Sequence, residues 1–125
     1  MIRVPYHFVG DPKPEEKLFV VLCHKDCYAI CIKATSKVEV FENNPSKKKG
    51  CVWFPANQLP CFPLQTAIDP DNQFAIHHDV IRKAKKDGIL EVYQLPDGFE
   101  SDLRKAISNS ATLAPRQRAR ILSMF

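Results

Sequence analysis

The sequence lacks an apolar run long enough to cross a bilayer. Its longest uninterrupted apolar run, Leu18–Cys23, is far shorter than the ~20 residues that a transmembrane helix needs. The amino-terminal segment MIRVPYHFVG has neither a long apolar stretch nor a small-residue cleavage site, so no signal peptide is predicted. Together these absences predict a cytoplasmic protein with no membrane partner.

The sequence also lacks the cysteine pattern of a disulfide framework or a zinc knuckle. Five cysteines are an odd number in a chain with no predicted secretory signal, which argues against disulfides. The spacing of Cys23, Cys27 and Cys31 is not the usual zinc spacing, and there is no second CxxC pair. We therefore predict no metal site and no cofactor, and expect these three cysteines in strands as small hydrophobic residues. A zinc site would have to draw on Cys23, His24, Cys27, Cys31, His7, His77 and His78.

The chain of 125 residues is predicted to form a single domain. Its hydrophobic fraction of 45% and charged fraction of 26% are ordinary for a globular protein with its own core. The net charge is +4, and the basic residues are clustered, which favours an anionic partner. The clusters are Lys47–Lys49, Arg82 with Lys83, Lys85 and Lys86, and Arg116 with Arg118 and Arg120.

The first half of the chain reads as strands. Leu18–Cys23 and Tyr28–Ala34 are apolar runs that form a predicted hairpin, with His24 to Asp26 as the turn. The alternation that begins at Lys37 predicts a third strand over residues 37–42. Residues 43–50 are polar and rich in lysine, so an exposed loop is expected there.

The flanking segments carry weaker strand signals. Val4, Tyr6 and Phe8 alternate in an edge strand that contains Pro5, and residues 10–14 are a predicted loop. Cys51–Phe54 is a short aromatic strand. Residues 55–70 contain four prolines, so only short strand fragments such as residues 64–68 are expected in this segment.

Helical patterns begin near Phe74. Ile76, Val80, Ile81 and Ala84 recur at helical spacing, with His77 as a candidate N-cap and Gly88 as the expected end. Residues 89–93 form a predicted return strand. Asp97 and Glu100 have capping-box spacing before a helix whose inward face is Phe99, Leu103 and Ile107. Pro115 opens a last helix, with Ala119, Leu122 and Phe125 expected inward.

These elements predict a mainly β protein with helices, in the α+β class. Several short strands, frequent prolines and late helices are typical of a small, strongly curved antiparallel barrel. The barrel core is expected over about residues 1–93, and the last helices over about residues 97–125. Strands and helices do not alternate along the chain, which disfavours a doubly wound sheet.

The residues that follow the second core strand form one candidate site. Lys33, Thr35, Ser36 and Lys37 place two hydroxyls between two ammonium groups. The lysines would supply charge to a phosphate, and the hydroxyls would supply directional donors. The alternative is an ordinary polar turn between strands.

A second candidate site is the histidine pair at the predicted helix start. His77, His78 and Asp79 are the most concentrated titratable groups, and a neutral imidazole can act as general acid or base. The alternative is a helix cap beside a surface imidazole. Cys61 lies between Pro60 and Phe62, where it is expected to be accessible, but no neighbour in the sequence would activate its thiol.

The order of these elements resembles MazF/PemK-type toxins over roughly residues 15–108. The resemblance rests on KLFVVLC (17–23), AICIKATSK (29–37) and DVIRKAKKDGIL (79–90). It implies an SH3-like barrel with added helices, usually dimeric, that cleaves single-stranded RNA without a metal. In that family a Thr or Ser after the second core strand helps to bind the scissile phosphate, and Thr35 occupies the matching place.

The family's second catalytic element is an arginine on a later strand, and this chain has no arginine between Gln58 and Ile81. His77 or His78 would then act as the proton shuttle, and Lys33 or Lys37 would stabilise charge in the transition state. The RNA-binding residues implied by the resemblance and the basic clusters are Lys33, Ser36, Lys37, Lys47, Lys48 and Arg82.

Two functions follow as hypotheses. The first is a toxin-like component of a toxin–antitoxin system that binds or cleaves single-stranded RNA as an endoribonuclease, with RNA and an antitoxin as partners. The second is a non-catalytic SH3-like barrel module that binds a protein partner. Its motivation is a set of aromatic or apolar groups expected at the surface: Trp53, Phe54, Phe62, Met124 and Phe125.

Overall fold

The computed structural model describes residues 1–6 and 15–125, and the side chains of residues 1–3 and 17–125. The described strands are β1 (Ile2–Tyr6), β2 (Glu15–Lys25), β3 (Tyr28–Thr35), β4 (Val52–Phe54), β5 (Thr66–His77) and β6 (Glu91–Val92). The described helices are α1 (Glu39–Glu42), α2 (Pro45–Lys49), α3 (His78–Lys86), α4 (Phe99–Ser108) and α5 (Pro115–Leu122). The loop predicted over residues 10–14 lies outside the described residues.

The six strands form one antiparallel sheet in the order β4-β5-β3-β2-β1-β6. The predicted hairpin is confirmed as its central pair, β2 and β3. The turn is shorter than predicted, because His24 and Lys25 belong to β2 and only Asp26 and Cys27 connect the strands. Asp26 has a φ of 55°, a left-handed conformation that Asp tolerates better than most residues.

The central strands are buried on both faces of the sheet. Adjacent residues of a strand point to opposite faces, and Phe19 and Val20 accordingly belong to two different hydrophobic clusters. The Val20 cluster includes Leu103 of α4 and Ile121 of α5. The Phe19 cluster includes Ala84 of α3. Helices therefore cover both faces, and the run of apolar residues in β2 is explained by burial on each side.

The α+β class is confirmed, but the predicted barrel closure is wrong for the described part of the chain. Its two terminal strands, β4 and β6, each pair with a single neighbour, so the sheet is open. Register irregularities between Val21 and Cys23 and between Ile32 and Ala34 interrupt the ladders. Such bulges add local twist to the strands.

Two short helices lie within residues 37–50, which corrects the predicted strand and loop. α1 occupies the end of the predicted third strand, and α2 occupies the predicted loop. At α2 the Asn44 side chain accepts a hydrogen bond from the backbone N–H of Lys47, and Pro45 is at the first helical position. Asn at N-cap followed by Pro is a helix-start signal that the lysine-rich composition obscured.

β5 is a long strand, although prolines suggested only short fragments in this segment. Ile32 and Ala34 of β3 pair with Gln73 and Ile68 of β5, so residues 69–72 bulge out of the ladder. Pro70 lies in this bulge, where its missing N–H costs no ladder hydrogen bond. The Asp69 side chain accepts a hydrogen bond from the N–H of Asp71, which stabilises the local turn.

The three predicted C-terminal helices are confirmed, with corrections at their ends. α3 has His77 as its N-cap, and Gly88 follows its end with a φ of +72°. Ile76, expected to share the helical face, is instead a buried residue of β5. The return strand is limited to Glu91–Val92.

α4 buries Phe99, Leu103 and Ile107 as predicted. The expected Asp97–Glu100 capping box is wrong, because the N-cap is Gly98 and no side chain caps this helix. Among the helices of residues 1–6 and 15–125, none combines the length and the apolar character that a bilayer-spanning segment requires.

α5 begins at Pro115 as predicted, but its inward face differs. Ala119 is exposed, and Ile121 is the buried residue of the helix. Leu122 and Phe125 are partly buried against the core, as expected. The predicted inward orientation is therefore observed for two of the three residues.

Candidate functional site

A pocket of about 530 Å³ opens at the end of β3 that is far from the hairpin turn. The strands β1, β2, β3 and β5 contribute residues, and so does the segment that follows β4. Its lining contains four cationic residues, three hydroxyl residues and a mostly apolar remainder. The cationic ones are Arg3, Lys17, Lys33 and Lys37, the hydroxyl ones Thr35, Ser36 and Thr66, and the others Leu18, Ala34, Cys61, Phe62, Pro63 and Leu64.

The charge of this pocket is one-sided. No Asp or Glu is among its lining residues in the part of the chain whose side chains are described. Arg3 donates toward a carboxylate just outside the lining, with its Nε 3.4 Å from Oε2 of Glu91. Lys33 Nζ lies 5.8 Å from the centroid of the Phe74 ring, a cation–π distance. A concave surface with an excess of cations concentrates anions.

The β3 end supplies the hydroxyls of the pocket. Thr35 Oγ1 accepts a hydrogen bond of 3.2 Å from the backbone N–H of Lys37, so the chain reverses in a local side-chain-to-backbone turn. A hydroxyl that accepts one bond still has its own proton to donate. Ser36 and Lys37 are exposed at this turn. The same residues can therefore form a polar turn and still bind an anion.

The buried floor of the pocket, formed by Cys61 and Phe62, is apolar. Phe62 is buried, and its ring lies 5.2 Å from that of Phe54, which in turn stacks on Phe99 at 6.0 Å. The Phe62 N–H donates to the Leu59 carbonyl, and the Phe62 carbonyl accepts from the Asn57 N–H. Ring contacts and backbone hydrogen bonds therefore hold this segment against the core.

Cys61 is buried at the same floor, contrary to the expectation that it is accessible. Burial raises the pKa of its thiol, and the backbone and the nearby Arg3 offset this only in part. A thiol with a raised pKa is a poor nucleophile because the thiolate is the reactive form. The pocket lining also contains no His. Among the described side chains, the pocket thus has binding groups but no His, Asp or Glu to act as a general base.

The histidines predicted to act with Thr35 lie at the opposite end of β3. His77 pairs with Tyr28, the first residue of β3, whereas Thr35 is the last. Seven residues at a rise of ~3.3 Å separate these ends by ~23 Å. His77 Nδ1 accepts a 3.0 Å hydrogen bond from the Asp79 N–H, and His78 Nε2 contacts His24 Nδ1. The structure does not bring Thr35 and these imidazoles into one site.

The other predicted RNA-binding residues are also separate from the pocket lining. Lys47 and Lys48 are on α2, where the Lys48 carbonyl accepts a hydrogen bond of 3.0 Å from Trp53 Nε1. Arg82 is on α3 and pairs with Asp79 at 3.1 Å. Of the predicted set, the structure gathers Lys33, Ser36 and Lys37 around Thr35.

The surface expected for a protein partner is largely internal. Phe54 and Phe62 are buried, and Trp53 is half-buried. Met124 and Phe125 are also half-buried, and the Arg104 guanidinium lies 4.7 Å from the centroid of the Phe125 ring. The aromatic groups that motivated the protein-binding hypothesis are therefore mostly part of the core.

Sequence reasoning missed Arg3, Lys17 and Thr66 as pocket residues. Arg3 pairs with Leu18 across β1 and β2, and this register carries it beside the end of β3. Thr66 is buried at the start of β5, where its hydroxyl donates to the Leu64 carbonyl. No sequence pattern singled out Arg3 or Lys17, because strand order and register were needed to bring them to the end of β3.

The comparisons with known proteins do not add a family to this picture. The resemblance to MazF/PemK-type toxins remains a hypothesis carried by the sequence segments that motivated it. No family model, no curated protein and no solved structure matches this chain.

Proposed function

We propose that this protein binds single-stranded RNA, with a backbone phosphate held in the pocket at the end of β3. The observation that carries the proposal is the lining itself: four cations and three hydroxyls, with no carboxylate among the described lining side chains. Ammonium and guanidinium groups neutralise phosphate, and hydroxyls orient its oxygens. Phosphate contacts of this kind supply most of the affinity of non-specific nucleic-acid binding.

A single strand suits this pocket better than a duplex. A volume of about 530 Å³ is within the usual range for a small ligand and has room for a nucleotide-sized group. Apolar groups beside the cations, such as Leu18, Pro63 and Leu64, can contact a sugar or an unstacked base. Unpaired nucleotides can bend into a concave site, whereas the bases of a duplex are stacked inside it.

Binding without cleavage is the activity that these residues support. Cleavage through the 2′-hydroxyl needs a group that removes a proton and one that protonates the leaving oxygen. The described lining has no His, Asp or Glu, and the Cys61 thiol has a raised pKa. Within the toxin hypothesis, the protein would act in the cytoplasm by holding RNA. An antitoxin, or a second copy of the chain, would regulate access to the pocket.

The test is a binding titration followed by fluorescence anisotropy. We expect a short fluorescent single-stranded RNA to bind, and a duplex of the same length to bind at least tenfold more weakly. Lys37→Glu reverses one charge at the exposed rim and should weaken RNA binding by at least tenfold. Lys25→Glu, at the hairpin end of β2, is the matched control and should leave the affinity within about twofold.

The same samples decide between binding and cleavage. Intact RNA on a denaturing gel after incubation supports the proposal, and fragments that disappear in Thr35→Ala would replace it with the ribonuclease hypothesis. Equal affinities for the wild type and Lys37→Glu would refute the pocket as the binding site. Growth arrest on expression, if it occurs, should be lost in Lys37→Glu and retained in Lys25→Glu.

A further inference from the structure

At the hairpin end of the sheet, two imidazoles from distant parts of the sequence meet. His24 Nδ1 lies 3.0 Å from His78 Nε2, and the ring centroids are 5.1 Å apart. This contact is outside the phosphate pocket and has no role in the proposed RNA binding. Histidine nitrogens are the commonest protein ligands of borderline divalent metals, so the chemistry of this pair suits a metal ion.

The fold, rather than sequence proximity, creates this contact. His24 is in β2, and β5 is two strands away across β3, a separation of ~9.6 Å at ~4.8 Å per strand. His78 closes the gap because α3 begins at this residue, directly after β5. Its backbone N–H donates a 2.8 Å hydrogen bond to the Cys27 carbonyl in the hairpin turn. The start of α3 is therefore anchored over the turn.

The nitrogen separation fits two ligands of one ion. Nitrogens bonded to zinc at ~2.05 Å lie ~2.9 Å apart for a right angle and ~3.3 Å apart for a tetrahedral angle. The observed 3.0 Å lies between these values. An ion at this bond length would sit ~1.4 Å to one side of the line that joins the nitrogens. His24 is exposed, so its ring is free to turn its lone pair toward that point.

We propose that His24 Nδ1 and His78 Nε2 bind one Zn²⁺, or a similar borderline divalent ion, with water in the remaining positions. In the contact between the two neutral imidazoles, one of the facing nitrogens carries a proton. If that ring changes tautomer, the proton moves to its other nitrogen, and both facing nitrogens then present lone pairs to the ion. Metal binding therefore needs no net proton release. Throughout residues 1–3 and 17–125, no cluster of three or more His, Cys, Asp or Glu side chains is suited to a metal. The site is therefore open, and the bound ion links β2 to α3.

Calorimetric titration of the untagged protein with Zn²⁺ tests the site. We expect one ion per chain with an affinity in the micromolar range, tighter binding of Cu²⁺ and no detectable binding of Mg²⁺, which prefers oxygen ligands. Saturating Zn²⁺ should raise Tm by several degrees, because it binds the folded state selectively. His24→Asn and His78→Asn should each weaken Zn²⁺ binding at least tenfold and remove the Tm increase.

The adjacent histidine supplies the matched control. His77→Asn keeps a side chain that can cap α3 and should change Zn²⁺ affinity by less than about twofold. Cys27→Ser should do the same, and Co²⁺ bound to the wild type should show no sulfur-to-cobalt charge-transfer band. Retained binding in both His24→Asn and His78→Asn would overturn the proposal, as would binding that depends on Cys27 alone. Circular dichroism of each variant verifies that the fold is intact.

Discussion

The salt dependence of RNA binding gives the sharpest test of the pocket, through the substitution Lys37→Ala. For single strands the logarithm of the affinity falls with the logarithm of salt concentration by ~0.7 per phosphate neutralised. Four lining cations therefore set an upper limit of ~2.8 for the slope, which is a ~50-fold loss of affinity between 50 and 200 mM salt. With three cations the slope becomes ~2.1, and the loss becomes ~20-fold.

Anisotropy titrations at a series of NaCl concentrations measure this slope directly. Lys37 is exposed at the rim, so its truncation should leave stability nearly unchanged and act on binding alone. The wild-type and Lys37→Ala affinities should differ most at low salt and converge as salt rises. Lys25→Ala removes an exposed charge beside Tyr28, which lies ~23 Å from Thr35 along β3, and should keep the wild-type slope. The same slope in wild type and Lys37→Ala, or an equal reduction in Lys25→Ala, would refute binding in the pocket.

Three further predictions concern the core and its buried groups. Burial raises the pKa of the Cys31 and Cys51 thiols to about 12. A thiol reagent at mildly alkaline pH should therefore modify exposed Cys27 first, and Cys31 and Cys51 only when the protein unfolds. Peptide mass mapping would show this order of modification. Burial also raises the pKa of the Asp69 carboxyl above its ordinary value of 3.8. The folded state therefore binds the carboxyl proton more tightly than the unfolded state does. As a result, the free energy of unfolding falls as pH rises from 3.8 through the folded-state pKa. Asp69→Asn should therefore increase Tm at neutral pH and reduce the fall of Tm with rising pH, as measured in thermal melts. A lower Tm of this variant at neutral pH would contradict the prediction. Ile107→Ala removes a fully buried side chain and should cost ~2–5 kcal/mol in urea unfolding, whereas an unchanged midpoint would show that its packing contributes little.

The predicted grouping of candidate phosphate ligands is observed for residues that are neighbours in the sequence, and phosphate binding by them stays a prediction. Lys33, Thr35, Ser36 and Lys37 end one strand and enter one turn, so any fold that keeps this strand also keeps them together. Arg3 reaches the same pocket only because β1 pairs with β2 in the observed register. Registers depend on contacts between strands, which composition does not reveal.

The local errors have different physical causes. Pro70 suggested a break in the strand, yet it occupies a bulge where no ladder hydrogen bond is required. The alternation of polar and apolar residues that begins at Lys37 suggested a strand. Instead, α1 begins soon after β3, with only two residues between the end of β3 and the N-cap of α1. Pairing between β3 and β5 decided the conformation around Pro70, whereas α1 buries no residue and is held by backbone hydrogen bonds such as that from the Glu42 N–H to the Val38 carbonyl.

What the sequence alone determined is the part of the molecule controlled by local periodicity and by helix ends. The central hairpin, the His77 cap of α3 and the Pro115 start of α5 follow from residues close together in the chain. The tertiary structure decided which side chains share a site. Antiparallel pairing of β3 with β5 placed Thr35 and His77 at opposite ends, although both were predicted to act in one catalytic site. The same strand order, with the start of α3 over the turn, brought His78 to His24, because contacts across a sheet depend on strand order and register rather than on distance along the chain.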